Sequence, residues 1–184
     1  NLMNRKLASV ILLIALVGIA LVTAIPVAAD EPVFVDPAYE ITYTVSAGDN
    51  IHLYYWWWAT TPGLVNVYLK GNETTYTLRD ANDQIVWSLA AEEAEKYWSE
   101  IFKTDFSDFF DYPMPYMYAS AWEYPLGQLS PGTYSLTTDM FFTHAVTDGA
   151  HVIRDPETGE RISPTPSIFP KGFHWVFQVT IIVE

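Results

Sequence analysis

Three groups of residues in this chain have the types and spacing to do chemistry. The first is Tyr54-Tyr55-Trp56-Trp57-Trp58. Successive side chains of a strand point to opposite faces. Leu53, Tyr55 and Trp57 therefore share one face, and Tyr54, Trp56 and Trp58 share the other. One set can fill a core. The other then lies outside, where large aromatics are less expected and mark a binding surface. Rings in such a row can stack on sugars or pack against a protein. Trp122, in a second aromatic cluster running from Phe106 to Tyr124, joins Tyr54, Trp56 and Trp58 as a candidate ligand-binding residue. The alternative is that a neighbouring apolar segment covers the row and makes it core.

The second group is acidic. Asp105, Asp108 and Asp111 recur every third residue and could converge on Ca2+, which takes carboxylate oxygens. Asp80, Asn82 and Asp83 form an equally loose set. Neither carries the Asp-x-Asp-x-Asp-Gly pattern of a calcium loop, and solvated acidic loops are the better account of both. Calcium is the one cofactor the sequence suggests. The third group, His144, Asp148, His151 and Asp155, brackets the turn at Asp148-Gly149. Two imidazoles and two carboxylates can hold zinc, but the spacing matches no motif, and His144 shares a face with Met140 and Phe142.

Catalysis finds no support. There is no Gly-x-Ser-x-Gly, His-Glu-x-x-His or Gly-x-Gly-x-x-Gly. A glycosidase's acid pair has no sequence spacing of its own, and 22 acidic residues single out no pair. No catalytic residue is assigned. Asn72-Glu73-Thr74 is an N-glycosylation sequon, placed by the pattern at the tip of a hairpin.

The elements that must position these groups read mainly as strands. From Leu129-Ser-Pro-Gly-Thr-Tyr134 the chain alternates strictly: Tyr134, Leu136, Met140, Phe142 and Val146 on one face, Ser135, Thr137, Asp139 and Thr143 on the other. That is a long half-buried strand. The Leu-x-Pro-Gly-x-Tyr entry resembles the penultimate strand of immunoglobulin-like and fibronectin-III-like sandwiches. The resemblance implies a tyrosine whose hydroxyl returns to the backbone a few residues upstream. It concerns a fold and carries no activity.

Other strands are expected over Ile41 to Val45, Ile51 to Trp58, Val65 to Leu69, Tyr76 to Leu78 and Ile85 to Leu89. Gly71-Asn72 stands where a tight turn would join the third to the fourth. His151 to Arg154 and Glu160 to Ser163 suggest a small hairpin, and Phe173 to Val183 alternates as the final strand. Between them, Ala91, Ala94, Trp98, Ile101 and Phe102 recur at helical spacing, which predicts one amphipathic helix over Ala90 to Lys103. Residues 105 to 125 show no clear period.

Arg5 and Lys6 precede an apolar run from Leu7 to Val22, and Val27-Ala28-Ala29 ends it with small residues. Charged start, apolar middle and small end describe a secretory signal peptide. If uncleaved, residues 7–29 would act as an N-terminal membrane anchor. Either way residues 30–184 are expected to form an extracytoplasmic β-sandwich domain, secreted or held at the cell surface. The net charge is −13, and residues 1–29 contribute no acid to it. So acidic a surface argues against nucleic acid and anionic membranes. With no cysteine in the chain, thiol chemistry is excluded.

The expected fold is therefore all-β: an immunoglobulin-like two-sheet sandwich with one inserted amphipathic helix, preceded by a hydrophobic signal or anchor helix. The expected function is non-enzymatic binding of polysaccharide or a surface protein through exposed aromatics. The alternative is a subunit of a surface filament or layer, self-associating through strand or N-terminal segment exchange. A secreted hydrolase is the least favoured class.

Overall fold

Alternating residues build two sheets whose apolar faces meet. The computed structural model describes residues 31–105, 116–163 and 165–184, and Pro32–Glu184 forms a compact unit by itself. One sheet has the order β1-β3-β7-β6, made of β1 (Val33–Val35), β3 (Ile51–Ala59), β7 (Tyr118–Gly127) and β6 (Phe102–Lys103). The other has the order β2-β11-β8-β4-β5, made of β2 (Thr42–Val45), β11 (His174–Val183), β8 (Gly132–Phe142), β4 (Asn72–Arg79) and β5 (Ile85–Leu89). A small pair joins β9 (Val146–Thr147) to β10 (Ile168–Phe169).

The central pair β8 and β11 is fully registered, from Gly132 opposite Val183 to Phe141 opposite His174. Tyr134, Leu136, Met140 and Phe142 are buried from β8, and Phe177, Val179, Ile181 and Val183 from β11. The Tyr134 hydroxyl donates to the Ser130 carbonyl at 2.9 Å, the return contact that the entry motif implied.

The first four strands alternate between the two sheets. β1 pairs parallel with β3 at Ile51 to Leu53, and β2 pairs parallel with β11 at Thr180 to Val183. Each covers one end of its neighbour's edge and no more.

Three expectations are corrected. Val65, Val67 and Leu69 do not form a strand but lie in helix α1 (Pro62–Gly71), which buries Val65, Tyr68 and Gly71 at a spacing of three. Thr61 caps it, its side chain accepting from the Leu64 N–H, and Pro62 stands in the first turn, where its missing donor costs nothing. Consequently Gly71-Asn72 is no hairpin tip. Asn72 caps the C-terminus of α1 and opens β4, facing Phe142 of β8.

The predicted helix over Ala90 to Lys103 contracts to α2 (Ala91–Ala94) and a 3-10 turn at Glu95–Tyr97. Ala90 supplies no side-chain cap, and Trp98 leaves the helix to bridge Trp122. Glu93 pairs with Lys96 on its surface at 2.7 Å. The aperiodic stretch before residue 125 contains β7, which pairs with β3 along nearly its whole length. No helix among the described residues is long and apolar enough to cross a membrane.

The hairpin after Gly149 forms as expected. Arg154 bridges Arg161, and Gly159 takes a positive φ of 73° to close the turn.

Candidate functional site

The aromatics of β3 divide as the alternation required. Tyr55 is buried in the main core, with Tyr76 and Trp122 beside it. Trp57 turns the same way and stacks flat on Tyr68 of α1, centroids 4.1 Å apart. On the outer face, Phe34 of β1 meets Tyr54 at 5.2 Å, Tyr54 meets Trp56 at 5.7 Å, and Trp56 meets Trp58 at 6.3 Å. Phe34 is 50% exposed and Trp56 37%, whereas Tyr54 and Trp58 are half-buried. Trp58 is overlaid by Tyr116 in a near-parallel stack. The rings of the row are crossed by 88° and 49°, so together they make ridges and not a flat platform.

Trp122 differs from the expectation of a surface ring. It is wholly buried, stacked on Tyr76 at 4.6 Å, and its indole N–H donates to the Ala94 carbonyl at 2.7 Å. The short α2 helix exists on top of it, which is why the ring is not available.

A second feature was not foreseen. A cleft of about 350 Å³ opens between the two sheets, lined on the β3 side by Tyr55, Trp56, Trp57 and Trp58 and on the β11 side by Trp175 and Phe177. Tyr68, Met140, Phe142 and Phe169 close its floor, and Asp36 and Tyr39 stand on the segment between β1 and β2. It exists because β1 and β2 are short. Beyond Leu53 on β3, and before Thr180 on β11, no strand among the described residues pairs with these edges. The signal for it was legible only as Pro37 ending β1 early.

Two polar groups of the cleft are poorly matched by the protein. The buried indole Nε1 of Trp57 has no hydrogen-bond partner among the described residues. Leaving such a donor unmet costs on the order of 1–3 kcal/mol. Asp36 is the one carboxylate among the described lining residues. It accepts from the Ala38 N–H at 2.8 Å, yet burial still lifts its carboxyl above the ordinary value. The two buried phenols are neutral at any ordinary pH: burial pushes Tyr55 up to about 12, and Tyr68 well above its usual value.

No family model and no curated protein matches the chain. The site must be read from its own residues.

The metal candidates fare differently from one another. No group of three or more His, Cys, Asp or Glu among the described residues is arranged to hold a metal ion. Asp105 is exposed, and Asp108 and Asp111 lie outside the described residues. Asp80 instead organises its own turn, accepting from the Asn82 and Gln84 N–H groups.

His144 and Asp148 are structural and separate. His144 sits between the Val67 carbonyl at 3.1 Å and the Thr143 hydroxyl at 3.2 Å, pressed so close to Gly71 that a Cβ there would meet its ring at 2.6 Å. Asp148 is buried and accepts from the Tyr116 hydroxyl, the Ala150 N–H and the Ser167 N–H. Asp155 accepts from the Glu157 and Thr158 N–H groups, which hold its carboxyl below the ordinary range.

The sequon is half-hidden. Thr74 is buried, and its hydroxyl donates to the Asn72 side chain at 2.6 Å.

Proposed function

We propose that this is a non-enzymatic binding protein, exported or held at the cell surface, that takes a protein partner on the aromatic edge of β3. The observation that carries the reading is the cleft beside Tyr54 to Trp58, open between two incompletely covered strands and containing an unmet indole donor. Ligand sites are concave, mostly apolar, and carry a few polar groups that fix orientation. Acid–base hydrolysis of a glycoside needs two carboxyls across the bond, and among the described residues the cleft contributes Asp36 alone.

Polysaccharide is the second reading. The exposed Trp56, flanked by Tyr54 and Phe34, supports it. The crossed planes of the row favour a single flexible glycan chain over a flat crystalline surface. We read the sandwich itself as immunoglobulin-like. Two sheets with the orders β1-β3-β7-β6 and β2-β11-β8-β4-β5, and a tyrosine corner entering β8, support this. The helix between β3 and β4 and the parallel β1–β3 pair are departures from that plan.

The test is acrylamide quenching of tryptophan fluorescence, with soluble polysaccharides and with extended peptides added in turn. Suppressed quenching that Trp56→Ala or Trp57→Ala abolishes supports the reading. Quenching indifferent to both classes of ligand overturns it.

A further inference from the structure

We propose that the cleft between the sheets binds an organic cation, a methylated or quaternary ammonium group that also carries a hydrogen-bond acceptor. The inference rests on the reading of that cleft as a binding site, and it names the chemistry of what enters.

The face of an aromatic ring is negative, and it attracts a cation most strongly when both are out of water. Most of the described lining residues are Tyr, Trp or Phe, and none of them is Lys, Arg or His. The lining is therefore negative, with nothing positive in it as balance. Its inner walls do not depend on the outer row of β3. Trp57 and Tyr68 stack at 4.1 Å, Phe142 and Phe169 stack at 5.1 Å, and Trp175 lies 4.5 Å from Phe177. These contacts hold the rings in place, so a guest meets a cage that is already formed and loses little to ordering it.

Asp36 supplies a full charge. It is the one carboxylate among the described lining residues, and it belongs to none of the ion pairs formed among them. A carboxylate in an apolar place is costly unless a cation meets it. Its raised carboxyl reports that cost, with desolvation the largest cause. The Ala38 N–H bonds Oδ1 at 2.8 Å, which fixes the side chain without neutralising it. A purely apolar guest would leave this charge unmet. An anion would be repelled by Asp36 and by a chain of net charge −13. An ammonium group satisfies both the carboxylate and the rings.

The Trp57 indole asks for a second group. Its N–H is buried and unmet among the described residues, and an indole can only donate. A hydroxyl or carbonyl oxygen on the guest would accept from it. Choline carries both an ammonium and a hydroxyl, and is the simplest probe of the class.

The experiment uses the full chain with choline, with tetramethylammonium, and with the neutral isostere of choline in which tert-butyl replaces trimethylammonium. Binding is read by titration calorimetry and by the N-methyl proton resonance, which the rings of the cleft should move upfield. Choline is expected to bind about tenfold or more tighter than its neutral isostere. Asp36→Asn should weaken choline several-fold. Asparagine can still accept from the Ala38 N–H, so the turn is kept and only the charge is lost. Trp57→Phe should weaken choline more than tetramethylammonium, which has no acceptor to lose. A peptide bearing trimethyl-lysine separates the sources of the cation. Displacement of choline by less peptide than choline assigns the cation to a protein partner, and the reverse order assigns it to a free small molecule.

Equal binding of choline and its isostere would overturn the cation site. So would choline binding that Asp36→Asn leaves unchanged, or that brings no upfield shift. If neither choline nor the trimethyl-lysine peptide binds but another peptide or a polysaccharide suppresses quenching, the cation site falls and the binding surface stands. If nothing binds, both readings fall.

Discussion

Tyr134 and Asp148 show how single polar side chains tie this cysteine-free sandwich together. Tyr134→Phe removes one hydrogen bond to the Ser130 carbonyl and is expected to cost about 1 kcal/mol. Asp148→Ala strands the Tyr116 hydroxyl and two backbone donors in a buried place. It should cost roughly 2–4 kcal/mol, and urea denaturation of both variants checks that order. Asp36 behaves in the opposite sense. Its folded carboxyl titrates above the ordinary 3.8, so between that value and the raised one the folded state holds more protons than the unfolded. Stability therefore falls as pH rises through this window. Asp36→Asn should remove the fall, which unfolding midpoints from acid to neutral pH will show. For Tyr55 the sign is the same at the alkaline end: stability declines from pH 10 towards about 12. Unfolding midpoints measured from neutral to alkaline pH will show that decline.

At the scale of elements, the sequence was legible where one face is core and the other solvent. β8 meets that condition from Tyr134 on and β11 from Phe177 to Val183, and there the pattern was read correctly. The expected continuation to Val146 was too long, since β8 ends at Phe142 and Val146 belongs to β9. α1 was misread because Val65, Val67 and Leu69 alternate by coincidence while the buried set is Val65, Tyr68 and Gly71. The cap at Thr61 and the proline after it were the stronger signals. Thr61→Ala is expected to cost about 1 kcal/mol, read in the same denaturation assay. β7 was hidden for another reason: Ser120 and Trp122 face α2 and the strand-like Trp98–Ser99 crossing, and Ala119 is buried as well. Burial on both faces erases alternation. Gly149 closes its turn at a φ of 72° and lies directly against Leu64 and Thr60. Gly149→Ala should destabilise by more than the Thr61 variant, since it adds both backbone strain and a clash.

For the molecule as a whole, an all-β sandwich with an aromatic strand was readable, but the candidate site was not. The row Tyr54, Trp56, Trp58 came from period two alone. The cleft depends on how far β1 and β2 extend along edges that are distant in sequence, and a local pattern does not encode that distance.

The same arrangement of short first strands has a mechanical consequence. β2 and β11 run parallel, with Thr42 beside Thr180 and Val45 beside Val183. A molecule held near Pro32 and pulled at Glu184 would load this ladder lengthwise, so its hydrogen bonds would share the force together and not open one by one. Single-molecule stretching between those two points should meet a much higher rupture force than pulling from Gly71 to Glu184. Tyr43→Pro, which removes one donor from β2, should lower the rupture force in the first direction and leave the second pulling direction almost unchanged.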